Sequence, residues 1–223
     1  MSILGLFGQT ILLGLAAAFT PSLIALQILV CSGDPWRRRA LAVALGGMTA
    51  FLLVGGLLFF GFAQLPTGTE ADGMLGDILR LIGGLILAIF AVVLFRPHPG
   101  MEKRVEADIQ GYVARASTLV FLGVAFALSI KDLSSFVVLA PALHDIAVAN
   151  TDIGVKAALL VVLYAFALSP VLLPPLLRLA FGHRADEAFT AVYHFTMRHQ
   201  FQIVGVMAAV VSLYLIVTGV QDL

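Results

Sequence analysis

The sequence predicts an all-α integral membrane protein of six transmembrane helices, arranged as two inverted three-helix repeats with both termini outside. Three observations carry this. Hydrophobic residues make up 61% of the chain and charged residues 12%, about half the charged share of an ordinary soluble domain, so more apolar surface is present than a soluble core absorbs. The apolar residues fall in runs long enough to cross the bilayer. Laying the second half on the first brings helix-breaking and charged residues into register.

The runs lie at about 3–31, 40–63, 77–95, 117–148, 155–178 and 200–220. Each reads as a helix, because lipid offers no partners to free backbone groups and the period-two alternation of barrel strands is absent. The first run follows uncharged Met1 and Ser2, so it reads as a permanent helix rather than a signal peptide. It and the fourth run exceed one crossing, which fits tilt or a helix interrupted partway. The second and third carry the pairs Gly46, Gly47, Gly55, Gly56, Gly83 and Gly84, which read as surfaces where helix backbones approach closely. The fifth holds Ser169 and Pro170, with Pro174 and Pro175 a turn on, and these prolines read as kinks or hinges. Spans and short loops use up the chain, giving one membrane domain over 1–223. Repeat one covers about 1–95, a cytoplasmic linker 96–116 and repeat two about 117–223.

The linker, with mixed charges around Val105, Ile109 and Val113, reads either as an amphipathic surface helix or as a solvated connection. The fifth loop, with Phe189, Tyr193 and Phe195 among Arg184, His194 and Arg198, reads as an interfacial helix.

Orientation follows from the cations, since short cytoplasmic loops retain Lys and Arg. Arg37, Arg38 and Arg39 mark the first loop, Arg96, Lys103, Arg104 and Arg115 the third, and Arg178, Arg184 and Arg198 the fifth. The opposite side has Arg80 and Lys156 among six acids, including Asp77 and Asp145. The expected location is the plasma (inner) membrane, with the basic loops cytoplasmic.

The internal match sets GLAAAFTPSLIAL from Gly14 against GVAFALSIKDLSSF from Gly123, placing Thr20 on Ser129 and Ser22 on Lys131. Three spans per copy is an odd number, so the second copy enters from the other side, and such repeats place a site at the midplane. Pro21 lacks the amide proton its helix needs there, and Thr20 or water would re-satisfy the freed carbonyl. Lys131 lies about 20 Å from either end of its run, too deep to reach the interface. An unpaired charge at that depth costs several kcal/mol, so Lys131 and Asp132 either pin two helices as a pair or line a water-accessible cavity that handles substrate or protons. Thr20 and Ser129 either bind ligand or satisfy their own helix carbonyls. The candidate transport residues are Thr20, Pro21, Ser129, Lys131 and Asp132.

Cys31 is the lone cysteine and the five histidines show no ligand spacing, so no metal, cofactor or redox pair is expected. No catalytic pair, phosphate loop or nucleic-acid stripe appears, and neither an enzyme nor a nucleic-acid partner is expected.

With Ser129, Ile130, Lys131, Asp132 in span four, Thr20, Pro21 in span one, the basic turn Arg37 to Arg39, the proline-rich fifth span and Arg198, His199 entering the sixth, the chain resembles the Gap/Sap lipid-addressing family of the LysE-type exporter superfamily. The likeness runs along nearly the whole chain. It implies a small exporter of two inverted three-span repeats, often a homodimer, in a branch linked to moving envelope lipids or glycolipids outward. The chain departs from that family's Asn-Pro-Lys pattern by having Ser129 and Ile130 before Lys131, so the lysine carries over without the proline-imposed break.

The leading expectation is an exporter of a small or amphiphilic solute, working by alternating access and coupled to an ion gradient. Lys131 would bind an anionic group, and Asp132 would act as countercharge or proton site. Two alternatives stand beside it: a non-transporting scaffold subunit of a lipid-export assembly, and a cation exporter, for which Asp132 is the one carboxylate read as deep enough.

Overall fold

A computed structural model describes residues 3–18, 20–33, 35–64, 70–95 and 117–221; the linker 96–116 lies outside them. Every regular element described is helical: α1 (Ile3–Ala17), α2 (Pro21–Ser32), α3 (Trp36–Ala63), α4 (Glu70–Leu94), α5 (Thr118–Lys131), α6 (Leu133–Val148), α7 (Ile153–Ala167), α8 (Ser169–Phe181), a 3-10 turn (Gly182–Arg184) and α9 (Ala185–Gln221). Segments Trp36–Ala63, Gly76–Leu94 and Phe201–Val220 are each long and apolar enough to cross a membrane. Three bent pairs raise the number to six if each is one span: α1 with α2 at 69°, α5 with α6 at 71°, and α7 with Ser169–Thr196, which takes in α8 and the start of α9, at 71°.

Each bend has a local cause. Thr20 precedes a proline, which disfavours the helical region; it sits at φ −115°, ψ 87°, and Pro21 occupies the first turn of α2, where a missing N–H loses nothing. Pro170 plays the same part at the start of α8, beyond Leu168 at φ −90°, ψ 0°. The α5–α6 bend has no proline. Asp132 stands there at φ −81°, ψ 69°, and its carboxylate is held by the hydroxyls of Ser134 and Ser135. Asp and Ser compete with helix through such local bonds.

Two carbonyls freed by prolines are taken up by neighbouring helices. Pro21 strips Ala17 of its helical donor, and Ser135 Oγ of α6 donates to Ala17 O at 2.9 Å. The expected donor, Thr20, is directed elsewhere. Pro175 likewise strips Val171, whose carbonyl accepts Gln27 Nε2 of α2 at 2.6 Å; the same nitrogen reaches Ala40 O of α3 at 3.2 Å. Bonds between helices thereby satisfy kinked backbone where lipid cannot.

The helices pack in matched pairs: α1 lies on α7 and α5 on α3, α2 lies on α9 and α6 on α4, and the most extensive contact joins α4 to α9. Glycines set several of these distances. A Cβ on Gly46 of α3 would lie 2.3 Å from Leu122 O of α5, and one on Gly84 of α4 3.2 Å from Ser212 O of α9. Ser212 Oγ in turn donates to Gly84 O at 2.8 Å.

The fifth loop is helical but not separate. Its residues open the 37-residue α9, about 55 Å long at 1.5 Å per residue, which runs unbroken into the last apolar segment. Phe189 and Tyr193 are buried against the other helices, while Phe195 stays exposed.

Candidate functional site

The bends at Thr20 and Asp132 meet. Thr20 Oγ1 donates to Asp132 Oδ2 at 2.6 Å, Ser135 Oγ to the same oxygen at 2.7 Å and Ser134 Oγ to Oδ1 at 2.5 Å. Three hydroxyl dipoles thus solvate a carboxylate with no cation bound to it among the described residues, and hydrogen bonds to a charged group are the strong kind.

Beside this cluster opens a cavity of about 290 Å³, lined by Thr20, Pro21, Ser22, Leu128, Lys131, Asp132 and Ser134, with Phe90 of α4 and Val204 of α9 also on its wall. Lys131 is the last residue of α5. Among the described residues it has no ion pair or hydrogen bond, to Asp132 or to any other group, so its ammonium is available to the cavity. A much narrower space, lined by Ser134 and Ser135 together with Ala16, Leu87, Val138 and Val211, shares Phe90, Ser134 and Val204 with it.

Protons in the cluster are countable. Ser135 has one hydroxyl proton and two acceptors in reach, Asp132 Oδ2 and Ala17 O. With Asp132 ionised, that proton goes to the carboxylate. With Oδ2 protonated, the new O–H donates to Ser135 Oγ, which turns to Ala17 O. The ionised state thus leaves Ala17 O without its donor, and protonating Oδ2 gives the donor back, with no helix moved.

Nearer the end where α1 begins, a second polar cluster lies between α1, α4 and α6. Arg80 bridges Asp77 Oδ1 at 2.9 Å and Asp145 Oδ2 at 2.8 Å, and Gln9 Nε2 donates to Asp145 Oδ2 at 2.6 Å. His144 Nδ1 approaches Asp145 Oδ1 at 3.3 Å, with its ring edge-on to Phe62. Asp77, Arg80, His144 and Asp145 are all buried. The charge pattern sets Arg80, Asp77 and Asp145 on the side opposite the basic loops, near the ends of apolar runs; they are buried between helices, so Asp132 is not the one deep carboxylate. Among the described residues no group of His, Cys, Asp and Glu is arranged to hold a metal ion.

The family described as Sap, sulfolipid-1-addressing protein, matches residues 11–221, a stretch that takes in both helix bends and the cavity. The chain belongs to this family. No curated protein and no solved structure matches it. In this Sap-family chain, four of the five candidate transport residues meet at the cavity: Thr20, Pro21, Lys131 and Asp132. Ser129 does not. It is fully buried, and its hydroxyl donates to Ala125 O at 2.8 Å. The α5–α6 bend falls at Asp132, three residues beyond Ser129, the residue that the sequence match sets against Thr20. Pro170, Pro174 and Pro175 all lie in α8, away from the cavity, with Pro170 at its first turn and the others inside. Ser135, Gln27 and the Arg80 cluster are the residues that sequence reasoning missed. A signal for Ser135 existed, a hydroxyl three residues beyond Asp132 within one apolar run.

Proposed function

We propose that this chain is an exporter of an amphiphilic, lipid-class solute, working by alternating access of two inverted three-helix repeats in the inner membrane. The carrying observation is the cavity where two helix bends, one from each half, bring an uncommitted ammonium (Lys131) beside a hydroxyl-solvated carboxylate (Asp132). Such a pair suits a solute with an anionic group, held by Lys131 while its apolar part remains near lipid.

Inverted repetition is supported by the matched packing, in which α1 on α7 mirrors α5 on α3 and α2 on α9 mirrors α6 on α4. The cation distribution supports N-out, C-out insertion. On that orientation the Gln9, Asp77, Arg80 and Asp145 cluster closes the outer end between α1, α4 and α6, while the cavity lies on its inner side. Opening outward requires those ion pairs to part. Proton coupling is supported by the Asp132 cluster, which accepts a proton by turning one hydroxyl. A lipid-class substrate is supported by the family's description, which names addressing of sulfolipid-1.

The test is purified protein in liposomes carrying a fluorescent anionic lipid, with leaflet exchange read by an impermeant quencher under an imposed pH gradient. Exchange that depends on the gradient and falls at least tenfold in Lys131→Met, with folding retained, is expected. A scaffold subunit moves nothing in this assay, and exchange untouched by Lys131→Met removes the assigned site.

A further inference from the structure

A cavity larger than the one at Lys131 lies behind the α1–α2 bend. A groove of about 520 Å³ runs between the end of α1, α2, α8 and the start of α9, within the range of pockets that bind small ligands. Its walls are almost wholly apolar, with Leu15, Ile28, Leu173, Pro174 and Leu177 among them, and its one charged lining residue is Arg184. Arg184 is exposed and has no ion-pair partner among the described residues. Nearby Arg178 is already committed, to Asp186 and to Gly182 O at 3.3 Å. A smaller cavity of about 250 Å³ adjoins the same turn, with Trp36, Arg37, Arg178 and His183 on its wall. The groove therefore ends at Arg184, with Arg178 and its partner Asp186 close by.

The α1–α2 bend is the wall between the two main cavities. Ala18 and Ile24 line the groove, while Thr20, Pro21 and Ser22 line the polar cavity. The proline break that shapes the site at Asp132 also shapes the groove behind it.

We infer that this groove is a second binding site, which takes an acyl chain of an anionic membrane lipid and holds the lipid's charged head at Arg184. The inference rests on the membrane placement argued above. In a bilayer, an apolar space of this size between helices gains nothing from water and is filled by chains, and the cation at its mouth sits where a headgroup lies. Charge complementarity favours an anionic head, because the groove's lining carries Arg184 and no carboxylate, and Asp186 of the adjoining first turn of α9 is paired with Arg178. On the exporter reading, the site receives the substrate from the inner leaflet, one bend away from Lys131.

The chain has a single tryptophan, Trp36, which makes a direct test available. Trp36→Phe combined with Leu177→Trp places one fluorophore on the groove wall. The full chain is reconstituted in phosphatidylcholine bilayers containing a minor fraction of dibrominated lipid, either phosphatidylglycerol or phosphatidylcholine, and quenching is compared. The anionic brominated lipid should associate about fivefold more strongly, the factor one cation contributes near an anionic head. Adding Arg184→Gln should abolish that preference while leaving quenching by both lipids. Adding Ala188→Phe, which fills the groove, should reduce quenching by both. Equal quenching by the two lipids, a preference that survives Arg184→Gln, or no quenching at all overturns the inference. The measurement involves no transport, so an exporter that fails to pump still reports on this site, and loss of lipid preference here leaves the Lys131 assay unaffected.

Discussion

Thr20 and Asp132 lie 112 residues apart and touch at 2.6 Å, each at the point where its helix bends. The hydroxyl donates to an oxygen that Ser135 also serves, and Ser135 alone can redirect its proton to Ala17 O. The cluster is thus built around a carboxylate that competes with Ala17 O for one hydroxyl proton, and protonating the carboxylate returns that proton to the carbonyl. Asp132→Asn keeps the side chain's shape and an acceptor oxygen but removes the titration. The variant should fold with a midpoint close to the parent's, while exchange in liposomes no longer responds to the pH gradient. Exchange that still follows the gradient in Asp132→Asn places proton coupling elsewhere.

Thr20→Val tests the same bond from its other end. Removing a hydroxyl that donates to a charged, partly buried group should lower stability by about 1.5–3 kcal/mol, while Thr20→Ser, which keeps the donor, should recover most of it. Denaturation in detergent read by circular dichroism measures both. Equal stability of the three proteins would mean the bond contributes nothing to holding the halves together.

Gln27 donates to the carbonyl that Pro175 leaves without a helical partner. Gln27→Leu preserves volume but orphans Val171 O in a fully buried place. The expected loss is about 1–3 kcal/mol. Combining Gln27→Leu with Pro175→Ala restores an amide donor to α8, so the double variant should be more stable than Gln27→Leu alone. A simple sum of the two single effects would show that the carbonyl is satisfied by another route.

The bends differ in how far they can be read from sequence, and the difference has a cause. Thr20–Pro21 and Ser169–Pro170 announce themselves, because proline removes a donor wherever it stands. Asp132 bends span four through side-chain bonds to Ser134, Ser135 and Thr20, and the last of these exists only once two distant segments have met. A match of sequence letters consequently settles on Ser129, which is buried and bonded to its own helix. Arg80, Asp77 and Asp145 show the converse. They stand near the ends of apolar runs, where a charge ordinarily marks a loop, and only the packing of α4 against α6 turns them into a buried network. Gln9 and Gln27 are polar residues inside apolar runs, a pattern that flags a need for a partner without naming it.

The Arg80 network yields its own prediction. Removing one member of a buried pair strands the other, so Arg80→Met or Asp145→Leu should each destabilise by about 3–5 kcal/mol. Arg80 also pairs with Asp77, so the penalty is removed only when Asp77, Arg80 and Asp145 are all replaced with apolar groups, and that triple variant should be more stable than either single one. If the network also closes the outer end, the triple variant should leak solute without a gradient, which the liposome exchange assay detects. A tight triple variant would limit the network to a packing role.

Gly46 and Gly56 separate packing from backbone propensity on one helix. Both lie in α3. A Cβ at Gly46 would sit 2.3 Å from Leu122 O and 3.1 Å from the Ala125 side chain, whereas one at Gly56 meets nothing within 4 Å. Leu122 O is backbone on a neighbouring helix, so the clash is relieved only by moving α5 away from α3, with loss of the contact that fixes the start of the bent α5–α6 pair. Gly46→Ala should therefore destabilise by about 1–3 kcal/mol. Gly56→Ala should stabilise by up to about 1 kcal/mol, through helix propensity and a less flexible unfolded chain. Displacing α5 also displaces Lys131 at its far end, so Gly46→Ala should lower exchange more than its stability loss explains, measured at a temperature where both variants are folded. Opposite signs for the two alanines tie α3 and α5 together at Gly46. Equal effects would show that the approach there is loose enough to admit a methyl group, and that Lys131 is positioned by the bend at Asp132 alone.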